Sequence, residues 1–204
     1  MKTDDTYITI AMPAEGIYKE KGSKFFAFAF PVMDEDAIKE HVQKLKLKYY
    51  DARHHCFAWQ LGVDGSHFRT NDDGEPSGTA GKPILGQIRS CNLTNLLIVV
   101  VRYFGGIKLG TGGLVNAYKS ASVDAIANAT IIERTVNDLY NISFAYGVMN
   151  DVMRIVKEES PEVTAQQFNI DCSMHLSIRS GQSFSLISRL EKIDTVKIEH
   201  LHRR

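Results

Sequence analysis

Two segments of the chain gather charged, hydroxyl and glycine residues densely enough to do chemistry. The first is Asp72-Asp73-Gly74-Glu75-Pro76-Ser77-Gly78-Thr79-Ala80-Gly81-Lys82-Pro83. The second is Val101-Arg102-Tyr103-Phe104-Gly105-Gly106-Ile107-Lys108-Leu109-Gly110-Thr111-Gly112-Gly113-Leu114. Nine of the 15 glycines fall within residues 72–114. Glycine lets backbone approach a ligand closely and adopt positive φ, so two such segments flanking an apolar stretch mark a candidate functional face. Asp72, Asp73 and Glu75 are oxygen ligands of the kind a divalent cation takes, and such a cation is the one candidate cofactor. The spacing is not that of an EF-hand, and carboxylates in a solvated turn are the plainer reading. In the second segment, Gly110-Thr111-Gly112-Gly113 opens an expected helix straight after an apolar strand. Free backbone N–H groups at such a start can hold phosphate, with Arg102, Lys108 and Thr111 beside them. Alternatively, the glycines allow tight strand–helix packing. Nucleotide motifs fail when checked: GxGxxG needs glycine where Val115 stands, and a Walker A loop needs Ser or Thr where Pro83 stands.

Asp51-Ala52-Arg53-His54-His55-Cys56 invites a metal or nucleophile reading. Successive strand side chains point to opposite faces, so His54 and Cys56 share one face and His55 takes the other, which argues against joint chelation. Cys56 as a nucleophile needs an adjacent base, for which His54 is the candidate; a buried structural thiol is the commoner role. There is no GxSxG elbow and no HExxH helix, and no catalytic residue is assigned. Nucleic-acid binding needs basic groups beside stacking aromatics. Arg53, Lys82, Arg102, Tyr103, Phe104 and Lys108 are the candidates, with His54, Ser77, Thr79, Thr111, Gly112 and Gly113 as further polar or backbone contacts to nucleic acid or phosphate. Against this, Tyr103 and Phe104 would pack in the core while the charges stay solvated.

The whole chain sets limits on these readings. Its 204 residues suit one large domain or two small ones. With 44% hydrophobic and 24% charged residues it is ordinary for a soluble globular protein. Lys+Arg and Asp+Glu are both 24, for a formal net charge of zero, so there is no global electrostatic footprint for nucleic acid. RNA binding would need a local basic patch and would be salt-sensitive. Cys56, Cys91 and Cys172 are widely spaced with no CxxC pair, which suits a reducing cytosol. The N-terminus carries no apolar run of signal-peptide length, and the strongest apolar run, Leu96 to Val101, falls far short of a membrane span. A soluble, cytoplasmic protein is expected.

The elements that must position the two segments follow from pattern. Tyr7 to Ala14 and Lys24 to Phe30 are expected strands. Asp34-Glu35-Asp36 opens a helix to about Tyr49, with Ile38, Val42, Leu45 and Tyr49 on its buried face. His55 to Leu61 is a strand. A helix is expected over about Gly78 to Arg89, and Asn95 to Arg102 reads as a strand buried on both faces. A further helix runs from about Gly112 to Ala129, with Leu114, Tyr118, Ala121, Ala125 and Ile126 on one face. The boundary falls within 130–136, giving domains 1–134 and 135–204. The remainder reads β-α-β-β-α-β: Asp138 to Ala145, Gly147 to Glu159, Val163 to Ile170, Cys172 to Ser180, Ser183 to Lys192 and Thr195 to His200. That is the order of a ferredoxin-like sandwich, and the fold class is α+β in two domains.

Taken together, the two glycine-bearing segments resemble the signature of the IMPACT/YigZ family, linked mostly to translation control, and the Asp51–Cys56 block is similar to a third family block. The resemblance runs from the first strand to the last. It implies an N-terminal α+β domain of the fold shared by GHMP kinases, a small-subunit ribosomal protein and domain IV of elongation factor G. It implies a C-terminal domain like the ferredoxin-like domains of that factor. The function it implies is a non-catalytic, translation-associated regulator that binds RNA, the ribosome or a translation factor. The runner-up is an enzyme holding a phosphorylated small molecule, with or without a divalent metal, between the glycine loops; a third reading is a regulator that binds protein through the C-terminal sheet. In eukaryotic relatives an additional domain contacts a regulator of a stress kinase. A chain of this length is expected to lack that domain, so the partner is not carried over.

Overall fold

The computed structural model describes residues 5–169 and 171–203, and the chain divides into two compact units. One is Tyr7–Arg134; the other comprises residues 135–203 with residues 5–6. Residues 5–6 therefore go with the C-terminal unit, whereas the expected division at 134 put them in the first domain. The bonds explain it: the Val136 N–H donates to the Asp5 carbonyl (2.6 Å), and Arg179 donates to the Asp5 carboxylate through Nε (2.7 Å) and Nη2 (3.1 Å).

The chain opens with β1 (Thr6–Ile10), β2 (Ala14–Glu20) and β3 (Ser23–Pro31), followed by α1 (Glu35–Lys48). The strand expected over residues 7–14 is β1, which ends at Ile10 before Pro13, and β2 beyond it was not expected. Asp34 caps α1, its carboxylate accepting from the Ala37 N–H (2.8 Å), and Ile38 and Leu45 bury its apolar face. Next come β4 (His54–Leu61), β5 (His67–Asn71), α2 (Gly81–Ser90), β6 (Leu96–Tyr103), α3 (Gly110–Ala127) and β7 (Ile131–Thr135). Five strands form an antiparallel sheet ordered β2-β3-β6-β4-β5, while β1 pairs with β7. β6 is the middle strand, and its expected burial on both faces is observed. Leu96, Ile98 and Val100 join the core under α2 and α3. Leu97, Val99 and Val101 join the core under α1.

α3 lies close over β2 because the facing residues are small. Ala117, Ala121 and Ala125 are fully buried, and a Cβ on Gly16 would fall 2.2 Å from the Ala125 nitrogen. Two outward backbone groups of β2 are satisfied from this helix and its end. The Ile17 N–H donates to Asp124 Oδ2 (2.8 Å), and Asn128 Nδ2 donates to the Glu15 carbonyl (2.9 Å).

The second unit continues with β8 (Asn137–Ala145), a 3₁₀ turn (Tyr146–Val148), α4 (Met149–Glu159), β9 (Glu162–Phe168), β10 (Asp171–Arg179), α5 (Ser180–Leu190) and β11 (Lys197–Arg203). The expected β-α-β-β-α-β order is present; the expected strand end at Ile170 lies outside the described residues. The sheet is antiparallel in the order β11-β8-β10-β9. Met174, Leu176 and Ile178 face α4 and α5 in its core, as their alternation requires. Asp138 is buried and accepts from Ser180 Oγ (2.7 Å) and Arg203 Nε (2.8 Å), which joins three elements. Among the described residues no helix is long and apolar enough to cross a membrane.

Candidate functional site

β4 and β6 run side by side with His54 opposite Arg102 and Cys56 opposite Val100. By alternation, Arg102, His54 and Cys56 point toward α2 and α3, while Tyr103 and His55 point toward α1. The first glycine segment is the loop from β5 to α2, and it folds over the end of the Arg102 face. The second runs from β6 into α3.

Asp72 organises the first loop. Its carboxylate accepts from the backbone N–H groups of Gly78 (2.8 Å), Ala80 (3.0 Å) and Gly81 (2.8 Å), so it closes the loop and satisfies donors at the start of α2. Burial pushes its carboxyl upward, but those three donors and the Lys82 charge outweigh burial and hold it below the usual range. A depressed folded-state value means that the unfolded chain takes up the proton first as the pH falls. The stabilisation is thus present above about pH 4 and drains away below it. Asp72→Asn should lower stability at neutral pH and show a shallower acid loss. Urea midpoints across the acid limb would measure this, and an unchanged slope would remove Asp72 as a source of it.

Asp73, with φ of 40°, turns the other way. Its Oδ2 accepts from the His55 N–H (2.7 Å) and its Oδ1 pairs with Lys46 (3.2 Å). Its carbonyl lies 2.8 Å from His54 Nδ1, which places the ring proton on that nitrogen. Burial lowers the His55 pKa, and its Nε2 is buried with no hydrogen bond among the described residues.

Glu75 is the centre of the buried part. Its Oε1 accepts from Arg102 Nη1 (2.5 Å) and from the Tyr118 hydroxyl (2.8 Å). Both charged side chains are nearly closed off, at 8% exposure for Arg102 and 4% for Glu75. The Arg102 guanidinium also lies over the rings of Phe25 (5.4 Å) and Phe104 (5.7 Å). Cys56 Sγ donates toward the Tyr118 hydroxyl (3.2 Å) and the Asp72 carbonyl (2.9 Å). Burial pushes both the Cys56 thiol and the Tyr118 phenol well up, so neither is available as an anionic nucleophile at neutral pH. The chain Arg102–Glu75–Tyr118–Cys56 ties the first glycine loop to β6, β4 and α3.

The residues expected to share one function are therefore divided. Asp72, Asp73 and Glu75 do not converge on a cation: backbone amides, Lys46 and Arg102 respectively occupy them, and no group of three or more His, Cys, Asp or Glu among the described residues is placed to hold a metal. Arg102 and Tyr103 sit on opposite faces, so they do not act on one ligand. Thr79 is buried, with its hydroxyl on the Pro76 carbonyl (2.6 Å). Arg53, Ser77, Lys82, Lys108, Thr111 and Gly112 are exposed, and Gly113 is half-buried against Leu109. Tyr118 was legible only as one position on the apolar face of α3; its hydroxyl was the signal that it needed a polar partner. Lys24, Tyr49 and Asp51 gather around Tyr103; the sequence marked Asp51 only as the start of the Asp51–Cys56 block and Tyr49 only as a helix-face position, and nothing local linked the three.

The antiparallel α+β unit that carries both glycine segments is matched over residues 21–126 by the family model described as the Impact N-terminal domain. The chain belongs to the IMPACT family. It is 37% identical over 144 residues to IMPACT family member YigZ of Escherichia coli (strain K12), covering 70% of this chain and 71% of that protein. It is 33% identical over 153 residues to IMPACT family member YvyE of Bacillus subtilis (strain 168), covering 75% and 70%. A solved structure described as that of a hypothetical protein is similar over 97% of this chain and 98% of its own, at 27% identity and a TM-score of 0.74.

Proposed function

We propose that this protein acts by binding rather than by catalysis, as a cytoplasmic, translation-associated regulator whose first target is RNA, free or ribosomal. The observation that carries the reading is the sealed Arg102–Glu75–Tyr118–Cys56 network. The groups a phosphoryl-handling or thiol enzyme would need are buried against one another, while Arg53 and Lys108 stand exposed on loops and Lys82 stands exposed in the first turn of α2. Membership of a family linked to translation control supports the same direction. The sheet order β11-β8-β10-β9 supports a ferredoxin-like C-terminal unit, and an N-terminal unit of the elongation-factor domain IV kind accords with the family resemblance.

The test is ribosome co-sedimentation together with binding of labelled single-stranded RNA across a salt series, with Lys82→Ala/Lys108→Ala alongside. Binding should weaken as salt rises, and the double variant should reduce the log–log slope by about one for each phosphate that it no longer neutralises. No binding to either target at low salt would sink the reading.

A further inference from the structure

On the α1 side of the sheet, below the second glycine loop, a groove of about 450 Å³ is lined by Lys24, Phe26, Tyr49, Asp51, Tyr103 and Phe104. Its aromatic wall is ordered. Phe26 and Tyr49 are stacked at 6.3 Å and 14°, and Tyr103 meets Phe26 edge-on at 6.1 Å and 88°. Tyr103 donates its hydroxyl to Asp51 Oδ1 (2.6 Å), which fixes that ring and leaves Asp51 Oδ2 with no hydrogen bond among the described residues. Phe104 is 54% exposed, a large apolar ring held at the rim. Lys24 is exposed and forms no ion pair among the described residues. The β2–β3 turn closes one end: a Cβ on Gly105 would fall 1.9 Å from the Gly22 carbonyl carbon, so the two backbones touch there.

We propose that this groove takes one base of single-stranded RNA, stacked against Tyr103 and Phe104, with its hydrogen-bond-donor edge read by Asp51 and its phosphate met by Lys24. Aromatic faces accept any base, and a lysine at the rim matches the backbone charge. A carboxylate selects among bases because it only accepts. Guanine presents two adjacent donors, N1–H and the N2 amino group, so it is the preferred base. The inference rests on the RNA reading above and adds to it a site, a base and the residues Lys24, Asp51 and Tyr103, which lie outside the buried Arg102–Glu75–Tyr118–Cys56 network.

The experiment is fluorescence anisotropy with labelled UUGUU and UUUUU at low salt, using wild type, Phe104→Ala and Asp51→Asn, with ribosome co-sedimentation in parallel. Wild type should prefer UUGUU. Phe104→Ala should weaken both oligomers about tenfold, equivalent to about 1.4 kcal/mol of lost stacking. Asp51→Asn keeps an acceptor for Tyr103 and should abolish the guanine preference while leaving UUUUU binding close to wild type. Binding of oligomers or ribosomes that is unchanged in both variants overturns the groove and leaves the RNA reading standing. Absence of binding to oligomers and ribosomes by wild type overturns both.

Discussion

Arg102→Ala should cost the N-terminal unit about 3–5 kcal/mol, because removing one member of a buried ion pair strands the other. Glu75 would keep only the Tyr118 hydroxyl in a site closed to water, and its carboxylate would have to be protonated or exposed by opening the loop. Against a total stability of about 5–15 kcal/mol, that loss takes a large share and would be read in urea unfolding. The pair's role is separable from function by replacing both partners. Arg102→Met/Glu75→Leu leaves no stranded charge and should recover much of the stability; because the Arg102 guanidinium also lies over the Phe104 ring, stability and RNA binding are read separately in this variant. A single-variant loss below about 1 kcal/mol would mean that the pair behaves like a solvated one.

Gly16→Ala is the second large effect. The added methyl would fall 2.2 Å from the Ala125 nitrogen and 2.8 Å from the Ala125 Cα, both backbone atoms of a helix that cannot yield as a side-chain tip would. α3 would have to lift from β2, disturbing Ala117, Ala121 and Ala125 in the core and stretching the Asp124–Ile17 bond. Overpacking typically costs about 1–3 kcal/mol, and a clash with backbone belongs at or above the top of that range. Gly86→Ala is the internal control. It stands in α2 with open space around a Cβ, and there the same chemical change should raise stability by up to about 1 kcal/mol. Thermal unfolding of the two variants side by side checks the pair; a Gly16 variant as stable as wild type would mean that the helix has room to move.

How much of this was legible in the sequence depends on what made each feature. α1 was legible because Asp34 caps it and Ile38, Val42, Leu45 and Tyr49 repeat at helical spacing. β6 was legible because a strand covered on both faces needs no polar alternation. β2, β5 and β7 were not, since each is exposed over much of its length and so shows little apolar period. The site was half legible. The glycine loops stood out by composition, but Glu75 meets Arg102 and Tyr118 at separations of 27 and 43 residues, and no local pattern records such pairings. Arg102 and Tyr103 looked like partners because they are adjacent, whereas strand period places adjacent residues on opposite sides. The acids of the first loop looked like metal ligands because composition does not reveal which donors already occupy them.

The hydrogen bonds that α3 and Asn128 make to the outer side of β2 also bear on how the protein behaves at high concentration. The border strand of a sheet offers a row of open amides and carbonyls to which another chain can add itself. In β2, Ile17 and Glu15 have already given theirs to Asp124 and Asn128. The β2 border is thereby closed from within at these two positions, and Asp124 both fastens the helix and takes up an amide that an added strand would need.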